Sequence, residues 1–150
     1  MVFAAQAIRQ AKKYTKESSE KTTILLSSAG YTEDQISQIK ASADKYGVEV
    51  IQISDAKQVV NYVNSHDICA GEVSNTRSAD PVTNVDFFSH GLVNKIELGF
   101  ELDKPSASSL VFNKAIASNL DPSAFSCDAV VTSFACRTGQ GNEKIGELAL

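Results

Sequence analysis

Two short apolar runs, each followed by one chemically reactive side chain, constrain this sequence more than any other feature. The first run covers Val85–Gly91 and delivers His90; the second covers Val130–Gly139 and delivers Cys136. Runs of β-branched and aromatic residues are typical of buried strands. The 46 positions between His90 and Cys136 leave room for a loop or hairpin and a helix before the chain returns to a neighbouring parallel strand. We therefore expect these two side chains to form a Cys/His pair at one edge of a sheet.

Composition and charge limit the class of protein. The chain has 150 residues, of which 43% are hydrophobic and 21% charged, as expected for a single soluble domain over residues 1–150. Its net charge of −4, without long runs of one sign, predicts neither nucleic acid nor a membrane surface as a partner. No segment has the length and apolarity of a membrane span, and no cleavable signal peptide is recognisable.

Cysteine usage bears on the compartment. The three cysteines Cys69, Cys127 and Cys136 are too few, and odd in number, for a disulfide framework, so at least one free thiol is expected. This favours a cytoplasmic, reducing environment. Export by a machinery that reads no cleavable signal remains compatible with it.

The order of periodic segments predicts an α/β fold with a mostly parallel central sheet flanked by helices. A capping box at Thr32 and Gln35 marks one helix start, and Ser54 or Asp55 caps another. Residues 66–84 are predicted as a loop with little periodicity. The predicted helices are Val2–Lys16 (within an N-terminal helical segment, 1–20), Glu33–Tyr46, one carrying Val59, Val60 and Val63, Leu110–Leu120 and Glu143–Leu150; the predicted strands are Thr23–Ser28, Val48–Ile53, the two runs above and a half-exposed strand or hairpin at Lys95–Leu102.

The chemistry expected at the two strand ends is acyl transfer. A thiol placed among outward-pointing backbone N–H groups and next to Arg137 can ionise to a nucleophilic thiolate. His90 can protonate a leaving amine and then activate water. The N–H groups of Gly91 and Cys136 could hold the developing oxyanion. This chemistry needs neither a metal nor a cofactor.

An apolar block ending in His-Gly, followed by a second apolar block ending in Ala-Cys, resembles the caspase-type cysteine peptidases of clan CD: caspases, gingipains, separases and bacterial caspase-like domains. The matching residues are Phe87–Gly91 and Val130–Cys136. Ile96–Gly99 and Cys136–Gly139 are similar to the bacterial caspase-like domains of large surface and toxin proteins.

The resemblance implies a three-layer caspase-like fold with a small hairpin after the histidine strand. It also implies a cysteine endopeptidase that cleaves polypeptide substrates, with His90 as general acid and base, Cys136 as nucleophile and Gly91 as an oxyanion contributor. A toxin or effector domain delivered into a target cell is the corresponding biological role.

One departure from the family pattern leaves an alternative open. Complete domains of this type continue beyond the cysteine strand, whereas this chain ends 14 residues after Cys136. A fragment of a larger parent protein, a domain that needs an activating partner, or a catalytically inactive binding module is therefore the second interpretation. An α/β-hydrolase is disfavoured, because Phe134 and Thr138 replace the small residues of its nucleophile elbow and the histidine precedes the nucleophile.

Several other residues support weaker functional interpretations. His66 and Cys69 could join His90 and Cys136 as zinc ligands, although their spacing does not match the paired ligands of structural zinc sites. Asp86 could orient His90, but a solvated cap at the strand explains it better. Asp55 resembles a phosphoacceptor only faintly and is better explained as a helix cap. Cys127 is expected to pack or lie near the surface before the second run.

Overall fold

The structure is a computed structural model that describes residues 2–69, 76–92, 95–99 and 108–134. Its first half alternates helices and strands, as predicted. The elements are α1 (Val2–Glu17), β1 (Thr23–Ser27), α2 (Glu33–Asp44), β2 (Glu49–Ile53) and α3 (Ala56–Ser65). β1 and β2 run parallel, with Thr23 opposite Glu49 and Ser27 opposite Ile53.

The helix starts in this half follow the local signals in the sequence. Thr32 accepts a hydrogen bond from the Gln35 amide at 3.2 Å, and the Gln35 side chain accepts one from the Thr32 amide at 2.9 Å. This reciprocal pair is the predicted capping box. Asp55 caps α3 in the same way with Gln58. α2 ends at Asp44, two residues before the predicted end, and Gly47 follows with φ at +69°, a conformation that favours glycine.

Among its described residues, the second half adds five strands and one short helix. They are β3 (Val82–Phe87), β4 (His90–Leu92), β5 (Lys95–Glu97), β6 (Val111–Asn113), α4 (Lys114–Ala117) and β7 (Phe125–Ser133). β3 and β7 are parallel, whereas β4, β5 and β6 form an antiparallel sheet. The predicted histidine strand Val85–Gly91 is divided, because β3 ends at Phe87 and His90 lies in β4, which pairs with β5 in an antiparallel hairpin. The small hairpin predicted after the histidine strand thus includes His90 itself. The protein is therefore a mixed α/β structure with parallel strand pairs.

Two further predictions of local structure are corrected. Leu110–Leu120 is not one helix: β6 pairs with β5, and α4 occupies only four residues. The reason is tertiary, because Phe112 lies opposite Ile96 and is 3% exposed in the core. The predicted loop 66–84 contains a 3-10 turn at Thr76–Ser78 and ends earlier, because β3 begins at Val82.

Some predicted features lie outside the described residues. They are Cys136 with the end of its strand, the Glu143–Leu150 helix, residues 70–75 of the loop and residues 100–102 of the predicted hairpin.

Helices cover both faces of the β1–β2 pair. Leu26 packs in a cluster with Ala4 of α1 and Ile36 of α2, whereas its neighbour Leu25 contacts the cluster that contains Val59 of α3. Successive strand residues point to opposite faces, so these two clusters lie on opposite sides of the sheet. The larger cluster, which also contains residues of β2, β3, β5 and β6, forms the main core. Within the part of the chain that the structure describes, no helix is both long and apolar enough to cross a membrane.

Candidate active site

The two strands that lead to the predicted catalytic residues are neighbours. β3 leads to His90 and β7 leads to Cys136, and the two strands pair in parallel with Phe87 opposite Ser133. Beyond the last pair, the Phe134 amide donates a hydrogen bond to the Phe87 carbonyl at 2.9 Å. The carboxyl ends of the two strands therefore meet at one edge, as the sequence predicted for parallel strands.

An aromatic stack joins the two chain segments just beyond these strand ends. The rings of Phe88 and Phe134 lie 4.6 Å apart between centroids with an interplanar angle of 3°. Phe134 is 51% exposed, so the stack lies at the surface rather than in the core. Stacked aromatic pairs stabilise a contact beyond the area they bury. The stack therefore holds together the two chain segments that follow the carboxyl ends of β3 and β7.

His90 and Cys136 follow this stack at the same distance along the chain. His90 comes two residues after Phe88, and Cys136 comes two residues after Phe134. Cys136 itself lies outside the described residues. Two residues of extended chain span at most about 7 Å. Because both residues lie two positions beyond the same aromatic stack, the length of the two chain segments permits a Cys/His pair.

His90 lies in β4, where it is half-buried and faces the first turn of α1. The Phe3 ring meets the imidazole edge to face, with centroids 4.9 Å apart and an interplanar angle of 89°. Across the β4–β5 hairpin, His90 is directly opposite Glu97, which is 8% exposed. Directly paired residues of an antiparallel hairpin project from the same face. A buried carboxyl group thus accompanies the histidine on its strand pair.

Gly91, the predicted oxyanion contributor, is also a β4 residue. It pairs with Ile96 of β5 and has no positive φ. The backbone conformation at this position therefore does not require glycine. The predicted role of Gly91 rests instead on its missing side chain, which lets a substrate carbonyl approach the backbone closely.

A cavity of about 630 Å³ lies along β1 and β3, and we call it the interstrand cavity. It extends from residues that precede β3, including His66, Arg77 and Asp80, to residues that follow it, including Ser89 and His90. Its volume is in the range of protein ligand sites. The histidine thus lies on the wall of a cavity large enough for a ligand.

The other candidate residues are placed as follows. Asp86 accepts a hydrogen bond from the Tyr14 hydroxyl at 2.7 Å, so it is a partner of α1 rather than a solvated cap. Burial, together with this hydrogen bond, raises the pKa of Tyr14. Asp55 is a helix cap, as predicted. Cys127 lies within β7, not before it, and is exposed.

The residues of the weak zinc hypothesis have other partners. His66 Nε2 lies 3.1 Å from the Asp80 carboxylate, and Cys69 is exposed, with its amide donating to Asp67 at 2.9 Å. His66 is near the amino end of β3 and His90 beyond its carboxyl end, so one six-residue strand separates them. Among the described residues, no group of three or more potential metal ligands is found.

Three structural residues along the interstrand cavity were not anticipated from the sequence. Phe3 contacts His90, Tyr14 holds Asp86, and Arg77 is buried against the end of α3. The Arg77 guanidinium also lies over the Tyr62 ring, 5.3 Å from its centroid. The amphipathic pattern of the sequence predicted helix α1, but it did not indicate which strands Phe3 and Tyr14 would contact.

Comparison of the chain with family models, with curated proteins and with solved structures finds no match.

Proposed function

We propose that this chain is a caspase-type cysteine peptidase domain in which Cys136 is the nucleophile and His90 the general acid and base. One observation carries the proposal: β3 and β7 are parallel neighbours, and the stacked Phe88 and Phe134 each precede one of the two residues by two positions. The two-sided helical cover of β1 and β2 is compatible with the three-layer caspase-like fold included in this proposal.

The proposed reaction proceeds through a thioester. The Cys136 thiolate attacks the carbonyl carbon of a peptide bond, and the C–N bond breaks as His90 donates a proton to the leaving amine. His90 then takes a proton from water, which attacks the thioester carbonyl and releases the carboxylate product and the thiol. The Gly91 and Cys136 N–H groups stabilise the oxyanion in both steps. The substrate class is a polypeptide, and a toxin or effector acting inside a target cell is the proposed role.

A catalytically inactive binding module is the second candidate function. The interstrand cavity favours it, because about 630 Å³ of space along β1 and β3 could hold a ligand without any reaction at a thiol. The two candidates differ in whether Cys136 is chemically activated by His90.

Thiol labelling distinguishes the two candidates. The purified protein is treated with limiting iodoacetamide near neutral pH, and the modified peptides are quantified by mass spectrometry. Cys69 and Cys127 are both exposed free thiols, so they report the rate of an accessible cysteine without activation. We expect Cys136 to react at least about tenfold faster than either, since an adjacent imidazole favours the thiolate.

Histidine variants provide the matched controls. His90→Ala should reduce the Cys136 rate to that of the two reference thiols. His66→Ala, which changes the other histidine of the chain, should leave it unchanged. Equal rates for all three cysteines, or a Cys136 rate that is the same in His90→Ala, would contradict the peptidase proposal and favour the binding module.

A further inference from the structure

Among the described residues, two strands each have an edge with which no other strand pairs, and both strands line the same cavity. β1 is paired with β2 alone, and β3 with β7 alone, within the described ranges. An unpaired strand edge presents a row of N–H and C=O groups that can bind another extended backbone. Each of the two edges is therefore a potential site of strand addition.

The interstrand cavity runs between these edges rather than over a sheet face. Every residue of Thr23–Ser27 and every residue of Val82–Phe87 lines it. A pocket above one face of a strand would contact only alternate residues, because successive side chains point to opposite faces. Contact with all of them indicates that the cavity follows the edges of both strands.

Helices close the cavity on its two sides, as they close the faces of a buried sheet. α1 contributes small side chains to the wall, including Ala4, Ala7 and Ala11, and α3 contributes Val59 and Val63.

α1 and the segment after it are also tied to β3. Tyr14 donates to Asp86 at 2.7 Å, and Thr83 donates to Glu20 at 3.1 Å. α1 also packs on β1 through the contact cluster of Ala4 and Leu26. The helix therefore spans the space between the two strands.

We propose that the interstrand cavity binds an extended, apolar peptide segment of another polypeptide, which pairs with β1 and β3 at the same time. An extended peptide carries N–H and C=O groups on both sides, so it can pair with two strand edges at once. β1 has five residues and β3 has six, which sets the length of the segment. Its side chains would lie under α1 and α3, and they are therefore small or β-branched and apolar. This inference does not depend on the chemistry of Cys136.

Short extended peptides test the proposed binding, and N-methylated versions of them test whether both edges take part. The probes are three fluorescein-labelled peptides with the six-residue cores (Val-Ala)3, (Val-Thr)3 and (Ile-Ala)3, each flanked by two lysines at both ends. Binding is followed by fluorescence anisotropy with the Cys136→Ala variant, so that cleavage cannot consume the probe. We expect saturable binding of at least one peptide.

Alternate N–H groups of an extended peptide point to opposite sides, so N-methylation of odd or even positions blocks one edge at a time. Each set of methyl groups should lower the affinity at least about tenfold, because each removes several hydrogen bonds. Sensitivity to one set only would indicate binding at a single outer edge and would overturn the proposal. Failure of all three peptides to bind would also overturn it.

A pair of α1 variants locates the binding. Ala7 is half-buried on the cavity wall, whereas Ala5 of the same helix is exposed and does not line the cavity. Ala7→Phe should fill the cavity and weaken binding at least about tenfold, and Ala5→Phe should bind as the parent does. Circular dichroism confirms that both variants fold. Equal affinities of the two variants would show that the peptide binds elsewhere, whatever the labelling of Cys136 reveals.

Discussion

Replacing Arg77 with methionine tests what holds the carboxyl end of α3, next to the interstrand cavity. Arg77 is 7% exposed, and its Nε donates to the Val63 carbonyl at 2.8 Å and its Nη2 to the Tyr62 carbonyl at 2.9 Å. Carbonyls in the last turn of a helix have no donor from a following turn. A positive group at this end also interacts favourably with the helix dipole. Arg77 therefore acts as a C-terminal cap supplied from a distant part of the sequence.

The size of the effect follows from these contacts. Hydrogen bonds from a charged donor contribute about 1.5–3 kcal/mol each. Burial of the guanidinium offsets part of this gain, and the same burial lowers the pKa of Arg77. The Tyr62 carbonyl also keeps the His66 amide at 2.8 Å when Arg77 is replaced. We therefore expect Arg77→Met to lower the free energy of unfolding by about 3 kcal/mol, or the melting temperature by about 6–12 °C.

Urea unfolding followed by circular dichroism measures this loss, and two further variants control for charge. Arg77→Lys keeps the charge but cannot reach two carbonyls with a planar fork, so about half of the loss should remain. Arg9→Met removes an exposed arginine of α1 and should change stability by no more than about 0.5 kcal/mol. The capping argument is refuted if Arg77→Met is as stable as Arg9→Met, or if lysine restores the full stability.

Two smaller predictions concern side-chain hydrogen bonds. Tyr14→Phe removes the donor to Asp86 and should cost about 1–2 kcal/mol in urea unfolding, whereas Tyr46→Phe, at a side chain 38% exposed, should cost no more than about 0.5 kcal/mol. Because the pKa of Tyr14 is raised in the folded protein, its contribution is complete below pH of about 10 and is lost as the pH rises through the raised value. The stability gap to Tyr14→Phe should therefore narrow at high pH, and a gap that widens there would contradict the assignment. Asp55→Ala should cost about 1 kcal/mol of thermal stability and Asp55→Asn almost nothing, since asparagine also caps helices; equal losses would argue against the cap.

The parts of the fold that the sequence predicted correctly depend on local signals. The capping box at Thr32 and the cap at Asp55 need only residues three positions away. The alternating, β-branched segment at Glu49–Ile53 likewise forms the predicted strand, β2. In each case the residues that determine the local structure lie close together in the sequence, within one helical turn or one strand.

The predictions that failed depend on distant contacts. Leu110–Leu120 contains several good helix formers, yet its first part is β6 because Phe112 completes the core opposite Ile96 of the hairpin. Similarly, nothing local indicates that Arg77 would turn back to cap α3, 14 residues earlier. Tertiary burial of a large aromatic ring can outweigh a local helix preference of a few tenths of a kcal/mol per residue.

The geometry of the candidate site depends on the register between β3 and β7, which the sequence alone does not provide. A shift of one residue between β3 and β7 would turn the alternating side chains of one strand to the opposite face. In the structure, Val85 faces Val131 across the pair, and both contact the main core cluster. Burial on that face therefore favours this register, which places Phe87 opposite Ser133. The equal offset of His90 and Cys136 from the strand ends is thus a consequence of core packing, and exchanging Val131 for a polar residue should disturb the site as well as the fold.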